Sequence, residues 1–384
     1  MHMSIKRFKN IILLMLFLGI SSIFPGEKED ADKFFKSGLS KIDQKKFKDA
    51  IPDFDKCIEL IPSYAEAYIN RGIAKYKTDD FQGSIEDYNK SEEIDPELSL
   101  IYIKRGESKQ AVQDYSGARE DYDKYFQKVG KENHPIVLGN RGYVKFKLGD
   151  IEGAMEDYNK ALKIDPNNAQ VYLNRAGIYM DRGNYKAAHE DYNSYIKKMG
   201  EKNHEILWLR ASTRYEIKDF KGALSDLDKA IKLNSQKVEY FYYRALVKEE
   251  LKDLKGSLKD FDIVLSKDPS HIAIIYRANI KFKLKDYKGS ISDYDAYIKS
   301  GQTDLLYKAY VQKGASEALM KDLESGLDDC SKGLKINPDY AEGYFWRGII
   351  YIDLADKVTG CADLKRSMDL NFTAAKNHYD KFCK

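Results

Sequence analysis

The chain has 384 residues, 64 basic against 61 acidic side chains for a net charge of +3, and a 43% share of hydrophobic residues. That balance holds no basic excess for a polyanion, and the apolar share is enough for packed cores, so nucleic-acid binding and general disorder drop out as main readings. With 29 tyrosines against 8 prolines and 25 glycines, the composition favours long helices packed through aromatic rings.

Residues 1–26 read as a separate leader. Lys6, Arg7 and Lys9 precede an apolar run from Ile11 to Phe24, which is followed by Pro25-Gly26 and a charged stretch. The run is about 14 residues long, short of the roughly 20 that span a bilayer. A secretory signal peptide is the first reading and an uncleaved N-terminal anchor in the inner membrane the second. Under either, the rest of the chain is expected to be exported, in the periplasm or cell envelope.

From about residue 31 the chain repeats. A small residue recurs at Gly38, Gly72, Gly106, Gly142, Ala176, Ala211, Ala245, Ala278, Gly314 and Gly348, in steps of 34, 34, 36, 34, 35, 34, 33, 36 and 34. Twelve positions after each anchor stands a second small residue, from Ala50 and Ser84 to Gly326 and Gly360. Four further on stands a large one, usually aromatic, as in Phe54, Tyr88, Tyr122, Tyr158 and Tyr192. Five units close on a proline at one offset: Pro62, Pro96, Pro166, Pro269 and Pro338. A period this regular marks stacked supersecondary units. Segments such as AEAYINRGIAKYK and FQGSIEDYNKSEEI carry the helical period, and Thr78-Asp79-Asp80 or Leu148-Gly149-Asp150 separate them as turns. Each unit therefore reads as two helices that approach closely at the small residues, with the aromatic filling the adjacent hole. Repeats are expected to start near residues 31, 65, 99, 135, 169, 204, 238, 271, 307 and 341.

Three junctions are longer. FQKVGKENHPI and IKKMGEKNHEI recur 70 residues apart after the third and fifth units, which points to a duplicated two-repeat block, and IKSGQTDLLY follows the eighth. His134 and His204 recur with those loops. Duplication accounts for them, and no third ligand stands at metal-binding spacing.

The unit of about 34 residues, with its small–small–aromatic–proline pattern, resembles the tetratricopeptide repeat over residues 31–371. The resemblance implies an all-α, right-handed α-solenoid and a non-enzymatic scaffold that binds a protein or peptide partner. It further implies that first helices line a concave groove through positions three before, one after and four after the anchor. On that basis the groove candidates are Tyr76, Tyr143, Phe146, Met180, Trp208, Tyr215, Tyr242, Glu249 and Phe282, with Glu216 beside them. Two readings stand for them. They form an aromatic floor with acidic edges for a partner segment with apolar and basic residues, or they pack between neighbouring first helices. An alternative for the whole chain is a structural subunit of a cell-envelope assembly, packing through its convex face.

One departure from the family pattern is an arginine just before most anchors, matched by an aspartate fifteen residues after each. The pairs are Arg71 with Asp87, Arg105 with Asp121, Arg141 with Asp157, Arg175 with Asp191, Arg210 with Asp226, Arg244 with Asp260 and Arg277 with Asp293. An identical pair in nearly every unit reads as an intra-repeat staple in preference to a ligand-binding stripe. Ser37 breaks the rule, so the first repeat is expected to be frayed. At the other end, residues 372–384 are expected to form a capping helix with Thr373 as N-cap. An antiparallel hairpin there would bring Cys361 and Cys383 to similar height, as a disulfide in an exported protein requires. Cys57 and Cys330 fall on core positions. The sequence holds no H-E-x-x-H, C-x-x-C or G-x-x-x-x-G-K-[ST] motif, so no catalytic residue, metal or cofactor is expected.

Overall fold

The computed structural model describes residues 25–270 and 272–384, and its regular structure is entirely helical, with twenty-one α-helices and no strand among the described residues. The leader expected over residues 1–26 lies, as far as Phe24, outside the described residues. The chain divides into two compact units, one ending at Ile178 and the other opening at Tyr179.

The helices run in pairs along the chain. The first four pairs are α1 (Pro25–Asp43) with α2 (Phe47–Leu60), α3 (Ala65–Tyr76) with α4 (Phe81–Ile94), α5 (Leu100–Ala111) with α6 (Tyr115–Val129), and α7 (Pro135–Lys147) with α8 (Ile151–Ile164). Next come α9 (Ala169–Asp181), α10 (Tyr185–Met199), and the pairs α11 (His204–Glu216) with α12 (Phe220–Leu233) and α13 (Val238–Glu250) with α14 (Leu254–Lys267). The last are α15 (Ala273–Lys283) with α16 (Tyr287–Lys299), α17 (Leu306–Leu319) with α18 (Leu323–Ile336), α19 (Ala341–Asp353) with α20 (Lys357–Asp369), and the single α21 (Thr373–Phe382). Apart from α9, each first helix packs on the second helix of its own pair, and the second helices other than α8 pack on the next first helix. First helices also touch the next first helix, as α11 does α13 and α15 does α17.

Steric closeness explains the anchor series. A Cβ added at Gly106 would sit 2.7 Å from the Tyr122 ring, and one at Gly142 equally close to Tyr158. Both tyrosines are fully buried. Only a hydrogen leaves room for a ring pressed flat on the first helix. At two of the three serines in the second small position the hydroxyl also donates back to the anchor carbonyl, Ser257 to Ala245 at 2.8 Å and Ser290 to Ala278 at 2.9 Å, while Ser84 donates to Phe81 O at 2.7 Å. Such a buried hydroxyl is fully satisfied and costs nothing in unpaired polarity.

The turn inside each pair is built one way throughout. The residue seven after each anchor has positive φ, from Lys45 at 59° to Gly149 at 83°, although only Gly149 and Gly183 are glycines there. The following Asp or Asn then caps the second helix. Asp80, Asp114, Asp150, Asn184, Asp219, Asp253, Asp286, Asp322 and Asp356 each accept the backbone N–H three residues on. Each such cap contributes about 1 kcal/mol, and together they offset the left-handed residue before them. Lys46 alone in this series has no side-chain cap. The closing prolines stand two residues beyond the second helices, after cap residues such as Asp95 and Asp165, where a missing N–H is harmless.

Three local expectations need correction. The first repeat is not frayed: α1 runs for 19 residues, and Phe35 on it stacks on Tyr64 and meets Phe54 edge-on. Thr373 is the first residue of α21 and not its cap; the N-cap is Phe372, without a side-chain bond. The two histidines of the duplicated junctions take different places. His134 caps α7 through Nδ1, whereas Asn203 caps α11 and His204 lies inside that helix with Nδ1 2.7 Å from Tyr240 Oη. The loop between Gly200 and α11 is one residue shorter than the loop between Gly130 and α7, which moves the histidine by one position. The chain ends with α21 laid over Phe345 and Leu364, and Cys361 is bonded to Cys383 with their Cα atoms 5.6 Å apart. Cys57 and Cys330 are free and buried.

Candidate functional site

The arginines before the anchors grip the second helix of their own pair with a two-pronged fork. Arg210 Nε and Nη2 lie 2.8 and 2.6 Å from Asp226. The same fork joins Arg71 to Asp87, Arg105 to Asp121, Arg141 to Asp157, Arg244 to Asp260, Arg277 to Asp293 and Arg347 to Asp363. Asp191 is buried on α10, and Arg175 donates to Asn159 at 2.6 Å.

Two features of this ladder lie beyond the pairs expected from the sequence. The remaining nitrogen, Nη1, reaches back to the preceding second helix, from Arg71 to Asp55, Arg141 to Asp123, Arg244 to Asp228 and Arg277 to Asp262. Each of these four arginines therefore ties three helices. The signal was the triplet Asp–aromatic–Asp or Asn, as in Asp121-Tyr122-Asp123. Residues two apart on a helix point about 200° from each other, so one faces its own first helix and the other the next. The second feature is another base four residues after the arginine. Lys75, Lys109, Lys145, Arg214, Lys248 and Lys281 stand 2.7–3.0 Å from the same aspartates. In the first pair Ser37 and Lys41, each at 2.7 Å, fill both places around Asp53. Buried aspartates held by two partners leave no face for a ligand, so the ladder holds the fold.

The ninth pair reverses the pattern. Lys313 replaces the arginine, 2.8 Å from Asp329 and 2.9 Å from Asp295, and Glu317 stands where the second base should be. Glu317 is 7% exposed, has Lys313 Nζ at 3.4 Å, and its Oε2 lacks a hydrogen-bond partner. Burial first, and then the Asp329 carboxylate, push it up to about 7.

The groove candidates divide by what they touch. Tyr76, Tyr215 and Phe282 lie edge-on against the first residue of the following helix, at 5.3, 5.6 and 5.6 Å from Phe81, Phe220 and Tyr287. They are turn-packing residues, half-buried within their own repeat. Tyr143 meets Tyr115 at 6.4 Å, Lys147 lies over both Tyr143 and Phe146, and Met180 is half-buried on α9. Glu249 is paired with Lys283, and Glu216 is exposed.

In the second unit the rings form a connected course across first helices. Trp208 on α11 touches Tyr240 and Tyr243 on α13 at 6.0 and 5.8 Å. Tyr243 touches Tyr242 at 5.6 Å, and Tyr242 touches Tyr276 on α15 at 5.7 Å. A separate contact joins Phe282 on α15 to Trp346 on α19 at 6.1 Å. The indole Nε1 atoms of Trp208 and Trp346 have no hydrogen-bond partner among the described residues. Carboxylates border this course. Burial first, then Glu205 and Glu239, push Tyr240 up to about 12, and Tyr215 is raised by burial and then by Glu250, Glu249 and Glu216. Sequence reasoning missed Tyr243, Tyr276 and Trp346, which occupy the column two before the anchor. In the first unit that column holds Asn70, Lys104, Asn140 and Asn174, so the aromatic character belongs to the second unit.

Among the described residues no cluster of His, Cys, Asp or Glu is placed to hold a metal ion, and no helix is long and apolar enough to cross a membrane.

Comparison with known proteins gives the following. Family models described as tetratricopeptide repeat match residues 65–98 and 173–238, and one described as TPR repeat matches residues 142–180. Among solved structures, PilF of Pseudomonas aeruginosa is similar at 21% identity and a TM-score of 0.51, over 57% of this chain and 99% of that one. The C-terminal part of a TPR repeat-containing protein from Cytophaga hutchinsonii is similar at 18% identity and a TM-score of 0.51, over 64% of this chain and 98% of that one. Likeness at these identities speaks for the fold alone. No curated protein sequence matches the chain.

Proposed function

We propose, from the premise that this chain belongs to the tetratricopeptide repeat proteins, that its second unit holds a partner segment along the first helices α11, α13, α15 and α19. Tetratricopeptide repeats bind protein or peptide partners, and the question is what this face selects. The observation that carries the reading is the connected ring course from Trp208 through Tyr243 and Tyr242 to Tyr276, bordered by Glu205, Glu216, Glu239 and Glu250. Large rings supply contact area at low entropic cost, and carboxylates at the rim attract and orient a basic sequence.

The partner is a segment rich in apolar and basic residues. Trp208→Ala with Tyr242→Ala is expected to weaken its binding at least about tenfold, in the range of interface hot spots, with the helical signal intact. Full affinity in a folded double variant would remove this reading. Weakening of binding at high salt is the companion expectation, since rim charges are screened.

The site of action proposed is outside the cytoplasm. The apolar leader supports this, as does the Cys361–Cys383 disulfide, which oxidising compartments preserve. Protease added to spheroplasts should degrade the repeat body; complete protection there would place it inside instead.

A further inference from the structure

One cleft of the second unit holds two opposite charges that nothing in the fold neutralises. It has a volume of about 420 Å³ and opens between α15, α17 and α19. Lys308 on α17 and Glu342 on α19 both line it, and neither makes an ion pair with the other or with any described residue. The Lys308 ammonium lies 5.8 Å above the Tyr307 ring. Glu342 accepts the Tyr340 hydroxyl through Oε2 at 2.6 Å, which leaves Oε1 open. The floor is the fully buried Tyr294, whose hydroxyl donates to Asn279 Oδ1 at 2.5 Å. That bond uses the acceptor of the Asn279 amide and leaves its N–H groups as donors. The cleft thus offers an acceptor in Glu342, held beside Tyr340, and donors in Lys308 and Asn279, with the Tyr276 ring also in its lining. Ile275 and Leu305 supply apolar wall between them.

A cavity of the first unit stands in contrast. That space, of about 710 Å³, is lined by Asp123, Glu132 and Arg141, but Arg141 is bonded to both acids. Those three charges are already spent on one another.

Unpaired opposite charges lining one cleft are met together by a molecule that carries both signs at short separation. A peptide interior carries neither main-chain charge, and a peptide end carries one. The volume falls within the range of small-molecule sites. We infer that this cleft binds a free α-amino acid with an apolar side chain. Its carboxylate meets Lys308 and Asn279, its ammonium meets Glu342 and the Tyr276 and Tyr340 ring faces, and its side chain lies on Ile275 and Leu305. This site goes beyond the partner-binding reading, and Trp208 and Tyr242 have no part in it.

The test is calorimetric titration of the full chain with L-leucine, leucinamide and N-acetyl-leucine. Leucine is expected to bind, and each blocked form to bind at least about tenfold more weakly, because one charged wall is left unpaired. Lys308→Met should erase the preference for leucine over leucinamide and keep that over N-acetyl-leucine, and Glu342→Gln should do the reverse. No binding of leucine at about 10 mM, or equal binding of all three compounds, overturns the inference. Should either variant lose its helical signal, the ranking of the three compounds on the unaltered chain decides by itself.

Discussion

Replacing Glu317 by lysine is expected to stabilise the ninth helix pair and to remove a pH dependence that the pair now carries. Glu317 occupies a place that holds a base in seven of the other pairs, and it faces Asp329 on α18 and Lys313 on its own helix, with Asp322 at the turn and Asp295 on α16 beyond Lys313. Its folded carboxyl titrates at about 7 against an ordinary 4.5. Between those values the unfolded chain has released a proton that the folded chain keeps, so stability falls as pH rises. The contribution is full below about 4.5 and is lost as pH passes 7, a change on the order of 3 kcal/mol. Repeat arrays open locally, so the measurement is amide hydrogen exchange in α17 and α18 at pH 5 and pH 8, corrected for intrinsic rates. Protection in the native chain should drop by roughly a hundredfold over that range, and Glu317→Lys should remain flat and better protected at pH 8. Equal protection at both pH values in the unaltered chain would refute the assignment.

The second large effect belongs to the ladder. Asp226→Ala should cost about 3–5 kcal/mol, because it strands the buried Arg210 and the half-buried Arg214 at once. Asp226 is wholly buried and takes Arg210 at 2.8 and 2.6 Å and Arg214 at 2.8 Å. The combined change Arg210→Met, Arg214→Leu and Asp226→Leu should lie near the unaltered protein, since a well-packed apolar set replaces a fully desolvated ionic one at little net loss. Asp363→Ala should cost less. Its partner is Arg347 alone at 2.7 Å, the second-base position being Tyr351, and Ser331 stands where other pairs carry the acid that reaches back. Urea unfolding followed by circular dichroism ranks the three. A ranking in which Asp363→Ala is the worst would show that the ladder does not act through desolvated charge.

The candidate site was only partly legible from spacing. Trp208 and Tyr242 do lie on the ring course. Tyr76, Tyr215 and Phe282, at one offset from the anchor, are drawn instead onto Phe81, Phe220 and Tyr287 at the turn. An offset states which way a side chain leaves its helix; whether it ends against a neighbour or a partner depends on the residue opposite. Tyr243, Tyr276 and Trp346 went unnoticed because their column is asparagine or lysine in the first unit, so it shows no common residue type along the chain. Lys308 and Glu342 stand 34 positions apart with nothing in their surroundings to link them.

The period, the helix pairs, the small-to-aromatic contacts and the arginine–aspartate partners were all determined by the sequence alone. Each is a local steric or ionic requirement repeated at one spacing, and repetition makes a weak local signal unambiguous. The backward reach of the arginines, the raised titration of Glu317, and the cleft with its unpaired charges were decided only by the tertiary structure. They depend on which groups from successive repeats come within a few ångströms of each other, and on how much water is left between them, and neither quantity is written in any single repeat.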